Sequence, residues 1–134
     1  IFKTILAVMS NKRNTKQFQA IRTVFETAGR PLSIEEVELE SLKILDSIGQ
    51  RTIYRIVRRM QEGDEIATVK VPGRADRYEL SSRAAKHHHH FHCNECDKYF
   101  DIDGCPGGLD KLVPKGFVLT NHEIVLSGIC KSCK

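Results

Sequence analysis

Two cysteine pairs, Cys93-x2-Cys96 and Cys130-x2-Cys133, are the most specific chemical signal in this chain, with 33 residues between them. Four thiolates at that spacing match a closed tetrahedral zinc site. Each pair bends back so that both sulfurs face one ion, and the ion closes the long loop between the pairs. Two disulfides are the alternative, but no secretion signal is visible, so a cytoplasmic location and a structural zinc are expected. Four thiolates leave zinc no open position, and neither His-x-Glu nor Pro-Cys-x2-Cys occurs. An enzyme with a small-molecule substrate is therefore not expected.

The second signal is His87-His88-His89-His90-Phe91-His92, running straight into Cys93. On a strand, alternate side chains point to opposite faces. His88 and His90, with His92, share one side, and His87 and His89 share the other. Each i, i+2 pair can chelate a divalent ion through neutral imidazoles, so one strand could feed two metal sites. A solvated histidine patch is the bland alternative. Glu79, seven to nine residues upstream of these histidines, is a candidate oxygen ligand, and His122 and Cys105 are the remaining soft or borderline donors. A single cysteine such as Cys105 is more often a buried small residue than a ligand.

The elements that hold these residues follow from how the composition changes along the chain. Residues 1–86 carry 16 Lys+Arg against 11 Asp+Glu, whereas residues 87–134 carry 5 against 6. All six His and all five Cys fall in the second stretch. We place a basic domain over residues 1–80, a hinge over 81–86 and a ligand-rich domain over 87–134. The basic half raises the prior for nucleic acid. No apolar run approaches the roughly 18 residues that span a bilayer, so no membrane partner is expected. Ile1 to Met9 has helical apolar spacing and reads as an amphipathic helix.

In the basic half, periodicity and caps predict helices over about Thr15–Ala28, from a Ser33–Glu36 capping box to about Leu45, and from a Ser47–Gln50 box to about Glu62. On the third helix Ile53, Ile56, Val57 and Met60 form one face, and Arg51, Tyr54, Arg55 and Arg58 the other. A solvated charged face is the ordinary reading of such a stripe. Here it is one-signed, carries an aromatic and follows a short turn, which fits a DNA recognition helix. Strands over Ile66–Val71 and Arg77–Leu80, joined at Pro72-Gly73 with Arg74 and Arg77 beside the turn, complete a winged-helix order. Lys12 and Arg13 are candidates for a neighbouring minor groove or phosphate.

Taken in order, Thr52-Ile-Tyr-Arg55, Arg77-Tyr-Glu-Leu80, the His87–His90 run into Cys93-x2-Cys96, Gly116-Phe117, Thr120-Asn-His122 and Gly128-x-Cys130-x2-Cys133 resemble the ferric uptake regulator (Fur) family across nearly the whole chain. The resemblance implies an α+β chain: an N-terminal winged helix-turn-helix domain and a small C-terminal α/β dimerisation domain stapled by a four-cysteine zinc. It implies a homodimeric repressor on double-stranded operator DNA with an inverted repeat, controlling metal-homeostasis genes with zinc or iron as corepressor. Residues matching Thr52, Tyr54 and Arg55 lie on its DNA-reading helix. Positions matching Glu79, His88 and His90 form a hinge metal site. Those matching His87, His89 and His122, with an acidic residue, form a second.

Several departures stand out. Iron sensors of the family carry Asp where this chain has His89, so the all-His run looks closer to the zinc sensors. The family's hinge His before the second helix is replaced within Arg30-Pro31-Leu32-Ser33, and His92 is a candidate substitute. The acidic partner of the second site falls near Cys105, with Asp103 and Asp110 as rivals. A basic residue of the first helix falls at Phe18. A peroxide sensor that uses iron on the same fold is the runner-up reading. A metal buffer that never touches DNA is a third, opposed by the Arg/Tyr face.

Overall fold

The computed structural model describes residues 16–134. Lys12, Arg13 and the helix expected over Ile1 to Met9 lie outside the described residues. The chain divides into two compact units between Arg83 and Ala84, within the segment expected as a hinge. That segment holds a four-residue helix, Ser81–Ala84.

In the first unit, helix α1 covers 16–28, α2 is Ile34–Ser41 and α3 is Gln50–Glu62. Strands β1 (Ile66–Val69) and β2 (Arg77–Leu80) pair antiparallel from Ile66 opposite Leu80 to Val69 opposite Arg77. Leu32 bridges Tyr78 through two backbone hydrogen bonds of 2.8 and 2.9 Å, adding a third rung. Ile21, Phe25, Leu32, Val37, Ile53, Ile56 and Met60 meet in one apolar cluster. This is the winged-helix arrangement.

The expected capping box at α2 is present. Ser33 Oγ accepts the Glu36 N–H, and the Glu36 carboxylate accepts the Ser33 N–H. The box expected at Ser47 is not. The N-cap falls two residues later, on Gly49, with no side-chain cap, and Gln50 donates instead to Glu38 at 3.1 Å. Helix α2 also stops at Ser41 rather than near Leu45, and the chain turns through successive bonds from Leu42, Lys43, Ile44 and Leu45. The wing turn is Val71-Pro-Gly-Arg74, closed by an Arg74 N–H to Val71 bond of 3.1 Å. Gly73 sits there at φ +73°, where a type II turn needs glycine.

The second unit is a mixed three-stranded sheet in the order β4-β3-β5, with β3 His88–Cys93, β4 Tyr99–Asp103 and β5 Val125–Gly128. β4 is antiparallel to β3 and β5 parallel to it. A one-turn 3-10 helix, Leu109–Leu112, supplies its helical part outside the hinge. A Cβ at Gly128 would lie 3.1 Å from the Phe91 ring, so any larger residue there would have to push that ring aside by a few tenths of an ångström. No helix among the described residues is long and apolar enough to cross a membrane.

Candidate metal centres and nucleic-acid face

Helix α3 carries its apolar residues at helical spacing, so packing one stripe turns the other outward. Ile53, Ile56, Val57 and Met60 are buried, while Arg51, Tyr54, Arg55 and Arg58 are exposed and Thr52 lies half-buried between them. Phe18 packs on the core beneath the guanidinium groups of Arg22 and Arg59, 4.9 and 5.4 Å from its ring centre. Arg77, expected beside the wing turn, points inward instead. It is 5% exposed and pairs with Glu36 at 3.0 Å, while Arg30 holds the other Glu36 oxygen at 2.5 Å. Desolvating that guanidinium favours a close carboxylate partner over solvent, which removes it from the wing's outer surface.

The four paired cysteines converge from two turns. Cys93-Asn-Glu-Cys96 is bent by the Asp97 N–H to Cys93 carbonyl bond of 2.9 Å, with Asp97 at φ +60°. Cys130 to Cys133 folds back through bonds of 3.1 and 3.0 Å to the Cys130 carbonyl. Cys93 Sγ accepts the backbone N–H groups of Cys96 at 3.5 Å and Cys130 at 3.3 Å, and Cys96 Sγ lies 3.8 Å from Cys130 Sγ. None of the cysteines is in a disulfide. The N–H of Cys96 holds the Cys93 thiol down to about 6, against burial, with the N–H groups of Cys130 and Glu95 helping. The Cys130 thiol, then burial, pushes Cys133 up to about 12. One sulfur is poised as a thiolate while Cys96 and Cys133 are held towards the thiol, because anions crowd this space without a cation. A tetrahedral divalent ion fits that donor set.

The histidine run forms β3, and its alternate residues reach two separate groups. On one face, the Nε2 atoms of His88 and His90 each lie 3.4 Å from Asp101 Oδ1. His88 Nδ1 is 2.6 Å from the Lys86 carbonyl, which can only accept, so Nδ1 carries the hydrogen. That leaves His88 Nε2 facing the same carboxylate oxygen as His90 Nε2, a nitrogen-and-oxygen set that could hold a divalent cation. Asp101 was missed at the sequence level. Its signal is the hairpin register that the Cys93–Cys96 turn imposes, which pairs His92 with Tyr99 and so His90 with Asp101.

On the other face, His87, His89, Cys105 and His122 bring one donor atom each within 4.8 Å of the others. His122 Nε2 is 3.1 Å from both His87 Nε2 and Cys105 Sγ. His89 Nε2 is buried without a hydrogen-bond partner. Burial lowers the His89 pKa, with His87, His122, His90 and His88 adding to the effect, so a neutral imidazole is favoured. Asp103 and Asp110, the rival acidic candidates, are exposed and outside this group. His92 is not brought to His88 and His90: its Nε2 meets Asp97 at 2.6 Å and its ring lies against Tyr99. Glu79 lies on β2 of the first unit, opposite Ala67.

The sequence matches the Ferric uptake regulator family over residues 9–127. The ferric uptake regulation protein of Bacillus subtilis is 27% identical over 129 residues, covering 92% of this chain and 87% of that protein. A Helicobacter pylori ferric uptake regulator structure, which reveals three functional metal binding sites in that protein, superposes with a TM-score of 0.62 at 26% identity. It covers 99% of this chain and 93% of its own. FurB from M. tuberculosis, a zinc uptake regulator, gives a TM-score of 0.52 at 26% identity, covering 95% and 99%. These relatives are regulators rather than enzymes. With its winged helix, paired cysteines and histidine strand, this chain belongs to the ferric uptake regulator family.

Proposed function

We propose that the protein is a metal-dependent DNA-binding transcriptional repressor of metal-homeostasis genes, acting in the cytoplasm as a homodimer on an inverted-repeat operator. The observation that carries this reading is the presence of two further donor groups, around His88/His90 and around His89/His122, beyond the four-cysteine cluster. The cysteines hold a structural zinc, and the histidine groups take the regulatory ion, zinc or iron. A bound ion supplies positive charge that the convergent lone pairs otherwise lack. The chain's own part is orientation: the Lys86 carbonyl fixes the His88 tautomer, and the pleat of β3 separates the two groups.

Arg51, Thr52, Tyr54, Arg55 and Arg58 form the DNA-reading face, with Lys12 and Arg13 towards the flanking backbone. A second copy of the chain covers Phe117, Val118, Leu126 and Ile129, exposed apolar residues of the second unit. Two recognition helices at fixed spacing then match two half-sites. Metal acts only by binding the DNA-competent arrangement more tightly than the alternative. The double variant His88→Ala, His90→Ala is expected to lose metal-dependent operator binding, measured by fluorescence anisotropy, while light scattering still shows a dimer. Unchanged metal dependence overturns the reading.

Peroxide sensing on the same fold is a second reading, favoured by the Asp101 oxygen beside two imidazoles, a donor set that suits Fe(II). A gain of one oxygen in the mass of the His88–His92 peptide after iron and peroxide would identify it.

A further inference from the structure

We infer that Cys105 turns the His87/His89/His122 group into a zinc-selective, thiolate-containing site, so the ion sensed there is zinc rather than iron or manganese. This deepens the repressor reading above and rests on it for the word sensed. The assignment of the sulfur itself rests on geometry within the second unit.

Sheet topology gathers the donors. Because β4 runs antiparallel and β5 parallel to β3, the end of β4, the start of β5 and the start of β3 all lie at one end of the sheet. His87 precedes β3, Cys105 follows β4, His122 precedes β5, and His89 sits one pleat inward on the face of His87. Gly104 leaves β4 at φ +95°, a conformation that side chains rarely adopt, and so turns Cys105 back towards the histidines. Three contacts then define a common focus. His122 Nε2 meets His87 Nε2 and Cys105 Sγ at 3.1 Å each, although a ring nitrogen can share only one hydrogen. His89 Nε2 adds a buried nitrogen with no hydrogen-bond partner. Donors around tetrahedral zinc stand about 3.3–3.6 Å apart, so a small outward movement admits the ion.

The donor types set the preference. Three imidazoles and a thiolate are borderline and soft, and suit four-coordinate zinc or cobalt; manganese and ferrous iron favour oxygen ligands and higher coordination. Asp103 and Asp110 lie close in sequence, yet the residue presented to the histidines carries sulfur. The His88/His90/Asp101 group on the opposite face of β3 provides the contrast, since its third donor is a carboxylate oxygen.

The test uses the intact protein with zinc kept in the four-cysteine cluster, labile ions removed by mild chelation, and Co(II) added without oxygen. One cobalt per chain is expected to give tetrahedral visible bands together with a near-ultraviolet sulfur-to-cobalt charge-transfer band. Cys105→Ser should abolish the charge-transfer band. Cys105→Asp should bind cobalt without it, and should lower the zinc-over-manganese preference at least about tenfold, the scale on which metal sites respond to loss of a supporting group. A charge-transfer band that survives in both variants, or an unchanged zinc-to-manganese preference, overturns the inference. Operator binding separates the two claims. If the spectra behave as expected but wild-type operator affinity is indifferent to zinc, the thiolate assignment stands and the repressor reading falls. If operator binding is metal-dependent but both variants keep the wild-type preference, the repressor reading stands and the inference falls.

Discussion

The first unit packs eleven buried residues, from Ile21 and Phe25 on α1 to Ile66 on β1, into one apolar cluster. The second buries only Cys93 and Tyr99 among its hydrophobic residues, beside two histidines, His89 and His92. Helices with an apolar stripe can bury it against one another, and the first unit is held in the ordinary way by area removed from water. Fifty-one residues in a three-stranded sheet have too little apolar surface for that. Metal in the ligand clusters would supply the missing cohesion and link the stability of this unit to ion supply. One molecule would then join a unit held by apolar packing to one held by bound ions.

The sharpest way to break this contrast is to remove one sulfur. Cys93→Ser is expected to abolish hydrogen-exchange protection throughout β3, β4 and β5 while α1 to α3 keep theirs. Equal loss in both units would show that they fold as one. The converse variant, Phe25→Ala, opens a cavity in the apolar cluster and should destabilise the first unit by about 3–5 kcal/mol. Its thermal midpoint falls while zinc content per chain is unchanged. A smaller effect sharpens the point: Gly128→Ala puts a methyl against Phe91 and should cost the second unit about 1–3 kcal/mol. Phe91→Leu in the same chain should restore part of that, measured by the chelator concentration needed to unfold the sheet.

Local chemistry was legible in the sequence wherever it is local in the chain. The cysteine pairs, the Ser33–Glu36 box and the two faces of α3 each follow from spacing within one or two turns. The division of the histidines between two faces follows from strand alternation alone. Contacts across the fold were harder. Ser47 to Gln50 has the letters of a capping box, but the chain stays extended to Gly49 and the motif goes unused. Arg77 reads as a basic wing residue, and only the approach of α2 to β2 shows Glu36 waiting for it. Asp101 became a metal-site candidate through strand register, and His92 was drawn to Asp97 by the left-handed turn after Cys96.

The crossover from β4 to β5 has a consequence for assembly. It must pass from one edge of the sheet to the other, and two of the donors, Cys105 and His122, stand at its ends. Between them lie Leu112, Phe117 and Val118, which face solvent. An ion seated between those ends would act as a clasp, shortening the free loop and lowering the entropy lost when a second copy settles on it. Ion and partner would then be two ligands of one loop, and reciprocity requires that whatever the ion adds to dimer affinity, the dimer returns to the ion.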